Sequence, residues 1–171
     1  MRTFTTKHTV YKFDELNQEA REHAIETFIA NDDMPFLEDY MKDELERLFE
    51  QYHITSDNAE LRYSLSCSQG DGASFTGDIE WGAWRASIGT NYYGNWYMHS
   101  KSVGIDEMTS IKTDKDAPES VQAKLASIIE RIGDDLEESG YQYIDDCRDA
   151  DSVAENIRAN EYEFTEDGEI V

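Results

Sequence analysis

The sequence predicts an α+β fold: a small antiparallel β-sheet packed against an N-terminal helical hairpin and a long C-terminal helix. Three observations carry this. Apolar residues recur at helical spacing between Ala20 and Tyr52, and they switch to strict alternation between Leu61 and Trp81. From Pro118 onward they return to helical spacing. Neither an internal repeat nor a long linker interrupts the 171 residues, so residues 1–171 read as a single domain able to carry its own core.

Residues 2–13, with Phe4, His8, Val10 and Phe13 among Thr and Lys, suit an extended opening strand. Asn17 then caps a first helix, because its short polar side chain can satisfy a free amide of the first turn and acids follow it. The apolar face of that helix is Ala20, Ala24, Ile25, Phe28 and Ile29. Asn31-Asp32-Asp33-Met34-Pro35 ends it, since proline disfavours helix for the residue before it. A second helix is expected over Phe36–Tyr52, with Phe36, Leu37, Tyr40, Met41, Leu45, Leu48, Phe49 and Tyr52 inward. Two helices so closely joined are expected to form an antiparallel hairpin.

In the middle, Leu61, Tyr63, Leu65 and Cys67 alternate with polar residues, as in a half-buried strand that points Cys67 inward. Gln69-Gly70-Asp71-Gly72 is a turn, after which Phe75, Gly77, Ile79 and Trp81 resume the alternation. A third strand is placed at Trp96–Ile105, beyond the glycine-punctuated stretch Gly89–Gly94. Val121, Leu125, Ile128, Ile129, Ile132 and Leu136 then form a helical stripe that extends through Gly140 to Cys147. Gly133 and Gly140 each cost such a helix about 1 kcal/mol relative to alanine. Ser152-Val153-Ala154-Glu155 reads as a capping box opening a short helix, Glu161–Phe164 as a final strand, and Glu166–Glu169 as a tight turn.

Charge narrows the function. Thirty-eight acids against fifteen basic residues leave a formal net charge of −23. Such a surface repels nucleic acid and anionic lipid and suits a basic protein surface instead. Twenty aromatic side chains exclude a fully disordered chain. Two cysteines make no disulfide framework, no apolar run is long enough for a membrane span, and no secretory signal is visible at Met1–Thr5. A cytoplasmic location is expected.

The acids are ordered as well as numerous. Asp39, Asp43, Glu46 and Glu50 fall at i, i+4, i+7 and i+11 of the second helix, on one face, and Glu38 and Glu44 broaden the stripe. The rise of a helix sets successive members roughly 4.5–6 Å apart along the axis, close to the phosphate spacing of one nucleic-acid strand. From Asp134 to Val171 fourteen acids face two arginines, a net of −12, and this stretch includes Asp134, Asp135, Glu138, Asp145 and Asp149. These ten acids are the candidate partner-binding residues. Charge this dense destabilises a compact fold by self-repulsion, so a role beyond solubility is expected.

Three stretches carry a resemblance. Tyr11-Lys12-Phe13-Asp14-Glu15-Leu16-Asn17-Gln18-Glu19-Ala20 resembles the Y-x-F-D-E-L-S-x-E-A opening of small acidic bacteriophage and prophage proteins. Ser68-Gln69-Gly70-Asp71-Gly72-Ala73-Ser74-Phe75 resembles their S-Q-G-D-G-x-x-F centre, and Asn160–Gly168 their N-E-Y-E-F-T-E-D-G ending. The resemblance implies a phage origin and carries no catalytic residues with it. With the charge, it points to an inhibitor of a bacterial defence nuclease, a CRISPR effector or a restriction enzyme. Such a protein would occupy a basic nucleic-acid-binding groove stoichiometrically, in the host cytoplasm, without binding nucleic acid itself.

Other constellations are weaker. Trp81, Trp84, Tyr92, Tyr93, Trp96 and Tyr97 could form an exposed anchor for a host factor, the alternative reading, but sheet core and cross-strand pairing explain them better. The Gln69–Gly72 turn lacks the Gly-Lys-Ser/Thr core of a phosphate loop. Asp145, Asp146, Asp149 and Asp151 miss EF-hand spacing, and His8, His23, His53 and His99 are scattered, so no metal and no cofactor are expected. Cys67 reads as a buried structural thiol, and Ser64, Ser66 and Ser68 form no nucleophile elbow, so no enzyme is expected; an enzyme built on a facing pair of carboxylates is the third reading.

Overall fold

A computed structural model describes residues 9–31, Met34 and residues 36–171, the side chains of Tyr93 and Asn95 excepted. Of the expected strand at residues 2–13, residues 2–8, with Phe4 and His8, lie outside the described residues, as do Asp32, Asp33 and Pro35; the described part is strand only at Tyr11–Lys12, and Phe13 opens a 3-10 turn. The fold is α+β, with helices packed on a mostly antiparallel sheet. The chain forms two compact units, Met1–Pro35 with Ile144–Val171, and Phe36–Tyr143, where the sequence reads as one domain.

The first unit is built around two short helices. Helix α1 (Gln18–Asn31) packs on α4 (Ala150–Ala159), and strand β1 (Tyr11–Lys12) pairs antiparallel with β7 (Glu163–Phe164). Phe13, Leu16, Ala20, Ala24, Val153, Ala154, Ile157 and Phe164 are buried together. Asn17 caps α1 as the sequence indicates, its Oδ1 accepting from the Ala20 amide at 3.0 Å. At α4 the cap differs from the expected Ser152 box: Asp149 accepts from the Ser152 amide at 3.0 Å, so the helix opens at Ala150. A carboxylate there satisfies a free amide and meets the positive helix end, an advantage a serine lacks.

The second unit holds the main sheet. Helix α2 (Leu37–Tyr52) leads into β2 (Ile54–Thr55), β3 (Glu60–Ser64), β4 (Gly72–Trp81), β5 (Trp84–Thr90) and β6 (Val103–Ser110). Helix α3 (Glu119–Arg148) follows. The strand order is β2-β4-β5-β6, with β3 also on β4, and every pairing is antiparallel. Met41, Leu45, Leu48 and Phe49 of α2 and Leu125, Ile129, Ile132 and Leu136 of α3 share one core with Phe75, Ile79, Ile88 and Met108 of the sheet. The long helix extends past Gly140 as the stripe requires.

The helical hairpin is divided between the units. The face of α1 serves the first core and that of α2 the second, because Val153 and Ile157 of α4 supply the partner for α1. The helix beside α2 is α3: Tyr40 stacks on Tyr143 at 4.5 Å, and the Ser139 hydroxyl donates to Glu44 at 3.0 Å. Phe36 precedes α2 and is 68% exposed, not inward, because the helix begins one residue later.

Two strand assignments change. The third strand is Trp84–Thr90, joined to β4 through Gly82 at φ 62°, and the Trp96–Ile105 assignment gives way to β6 at Val103–Ser110. Ser100 and Ser102, within the expected strand, instead form a buried 3-10 turn. Cys67 is the other correction. Strand β3 stops at Ser64, and Cys67 is exposed at φ 58°, because the amides on either side of it are drawn to Asp71.

Candidate functional site

The acidic stripe forms as the spacing requires. Asp39, Asp43, Glu46 and Glu50 are all exposed, on the side of α2 turned away from buried Met41, Leu45 and Leu48. Over eleven residues the row spans roughly 16 Å. None of the four makes an ion pair among the described residues. The two cations of α2 flank the row and are already engaged. Lys42 holds Glu38 at 2.5 Å, and Arg47 holds Glu44 at 2.6 Å. The hydrogen bond from Lys42 keeps Glu38 below its ordinary pKa, and that from Arg47 does the same for Glu44 against the opposing effect of burial.

The remaining candidates are less uniform. On α3, Asp134 accepts from the Ser100 hydroxyl at 2.6 Å, Asp135 lies 3.9 Å from Arg131, and Glu138 is exposed. The hydrogen bond and charge of Glu44 raise the pKa of Arg47, and the charge of Asp135 adds to them. Asp145 and Asp149 belong to the first unit, where Asp145 is exposed and Asp149 is spent on capping α4. The α2 row is therefore the candidate face whose carboxylates make no ion pair and no side-chain hydrogen bond among the described residues.

One carboxylate that the sequence reading treats as a plain turn residue is heavily used. Asp71 accepts from the Ser64 hydroxyl at 2.7 Å, the Ser66 and Ser68 amides at 2.7 Å each, and the Ser68 hydroxyl at 2.9 Å. The Tyr141 hydroxyl reaches it from α3 at 3.3 Å. Burial alone would raise its pKa, but these donors hold it far below the usual carboxylate range. Three serines at two-residue spacing before an aspartate in a turn were the available signal, since Asp accepts local amides in this way. The charge belongs to the loop's architecture.

A pH dependence follows from the sign of that shift. A carboxyl depressed in the folded state contributes stability above its unfolded pKa of about 3.9 and loses it as pH falls toward the folded value. The denaturant midpoint is therefore expected to decline below about pH 4, and Asp71→Asn to flatten part of that decline. Parallel denaturation series on the two proteins check it; an unchanged acid slope in the variant would contradict the assignment.

The aromatic group divides. Trp81 and Trp84 face each other across the β4–β5 turn and are half-buried, the cross-strand pairing expected of a sheet. Tyr97 stacks on His99 at 5.4 Å. Tyr92 and Trp96 are 82% and 76% exposed, and the side chain of Tyr93 lies outside the described residues. Among the described residues no group of three or more His, Cys, Asp and Glu is placed to hold a metal ion. No helix among them is long and apolar enough to cross a membrane.

No family model, curated protein or solved structure matches this chain.

Proposed function

We propose that this protein is a stoichiometric, phage-encoded inhibitor of a bacterial defence nuclease, a CRISPR effector or restriction enzyme, acting in the host cytoplasm. Its α2 carboxylates take the place of nucleic-acid phosphates on a basic groove, and it performs no chemistry of its own. The observation that carries this reading is the row Asp39, Asp43, Glu46 and Glu50: exposed, without ion pairs among the described residues, and mounted on a helix anchored in the core. A helix fixed by Met41, Leu45 and Leu48 presents its charges without a backbone ordering cost at binding. The net charge of −23 steers the protein toward a basic surface and makes association fast and salt-sensitive. The phage assignment rests on the sequence resemblance at Tyr11–Ala20, Ser68–Phe75 and Asn160–Gly168.

The exposure of Tyr92 and Trp96 favours a second reading, a phage accessory protein anchored to a host factor by aromatic side chains. Substitution separates the two. Changing Asp39 and Asp43 to Asn and Glu46 and Glu50 to Gln is expected to leave the fold intact, each change costing within about 0.5 kcal/mol. Affinity for the nuclease is expected to fall about tenfold or more at low salt. The same treatment of Glu161, Glu163, Glu166 and Glu169 serves as the control, and Glu163 already lies 3.4 Å from Lys12. Full inhibition by the helix variant with loss in the control would place the surface on the first unit. Full inhibition by both, with loss on Trp96→Ala, would favour the aromatic anchor.

A further inference from the structure

Beside the acidic row the second unit has a groove of about 590 Å³, formed where α2 meets β3 and the turn before it. Its size is that of a site for several side chains, not a crevice for water. Leu45, Phe49, Leu61 and Tyr63 line it, the first two buried and the others half-buried against the core. Glu38, Glu46, Asp57 and Glu60 also line it, and all four are exposed. Lys42 is the one cation among the lining residues, and Glu38 holds it. An apolar surface framed by carboxylates selects its occupant by charge: an apolar residue flanked by cations enters more favourably than one with neutral neighbours, and one flanked by acids is repelled.

We infer that this groove receives an apolar side chain carried by a Lys/Arg-rich segment of the partner. A second copy of the chain, at −23, is repelled from the acidic rim. The inference rests on the reading that the partner is basic, and adds what a row of charges lacks. A basic surface meets many polyanions, whereas a basic segment with a correctly spaced apolar residue fits few grooves, so the groove supplies specificity and a slower off-rate. Glu46 belongs to both features and joins them.

The test uses two synthetic peptides of equal charge. Both are rich in Lys and Arg; one carries Phe and Leu, and the other Ser at the same positions. Affinity is read by fluorescence anisotropy, and location by methyl and ring NMR signals of Leu45, Leu61 and Tyr63. The Phe/Leu peptide is expected to bind at least about tenfold more tightly and to move those signals. Reversing the rim with Asp57→Lys and Glu60→Lys is expected to cost about tenfold or more, while Glu107→Lys and Glu119→Lys, exposed and outside both the groove and the α2 row, cost less. Equal binding of the two peptides, signals that do not move, or equal loss in the two variants would overturn the groove and leave only general charge attraction. A dimer in sedimentation that the peptide dissolves would assign the groove to a second copy. Peptide binding with no nuclease competition would overturn the proposed function and keep the groove; competition without peptide discrimination would do the reverse.

Discussion

Replacing Gly133 by leucine is expected to lower the stability of the second unit by at least ~3 kcal/mol, although leucine is the better helix former. A Cβ at this position would stand 2.6 Å from the Ser100 Cβ and 2.8 Å from the Ala73 carbonyl oxygen. Ala73 is fully buried in β4, so the obstacle is sheet backbone that cannot turn aside. Even Gly133→Ala, worth about 1 kcal/mol in an isolated helix, is expected to lose roughly 1–3 kcal/mol here. Gly104, whose added Cβ would meet nothing within 4 Å, is the control, and Gly104→Ala is expected to be tolerated. Denaturant midpoints of the three variants decide it. A stabilised Gly133→Ala protein would show that α3 does not approach the sheet this closely.

The second large effect lies at Asp71. Removing the carboxylate with Asp71→Ala strips the acceptor from the amides of Ser66 and Ser68 and the hydroxyls of Ser64 and Ser68. Some of these donors reach water, so the expected loss is about 2–3 kcal/mol rather than the sum of the individual bonds. Asp71→Asn keeps one acceptor oxygen but turns an NH2 group toward donors, and is expected to fall between alanine and the native residue. The loop amides should exchange faster with solvent in both variants. Unchanged exchange at Ser66 and Ser68 with a normal midpoint would mean that the loop holds without its aspartate.

Local periodicity read well wherever one element packs on one core. The stripe Val121–Leu136 is a sufficient signal for α3, and Asn17 before an acidic first turn is a sufficient signal for the start of α1. The division into two units left no such mark. Its second boundary, between Tyr143 and Ile144, falls inside the continuous helix α3, where no breaker or change of composition is needed. The pairing of α1 with α4 was hidden for the same reason, since adjacency in sequence favoured α2. Strand β5 buries small Ala86 beside Ile88 and ends in Gly89–Thr90, which blurs the alternation that Phe75 and Ile79 make plain in β4. At Cys67 the alternation runs on past the end of the strand, because side-chain acceptance by Asp71 ends β3 without any apolar signature.

The acidic row was legible because exposure on a helix follows from where its apolar face points. The groove was not, because Leu61 and Tyr63 reach it from a strand whose placement beside α2 is a matter of tertiary packing. Glycine at 133 showed only its helix cost in the sequence; the reason a glycine stands there is Ser100 and the Ala73 carbonyl, more than thirty residues away.

Displacement of nucleic acid from a basic surface by the α2 carboxylates is tested by gel-shift competition against purified restriction and CRISPR effector complexes loaded with labelled DNA, repeated between about 50 and 500 mM salt. At least one of these nucleases is expected to release free DNA, with potency falling steeply as salt rises, and this protein alone is expected to shift no DNA. A ternary complex with DNA still seated, or an affinity unchanged across that range of salt, would contradict this displacement.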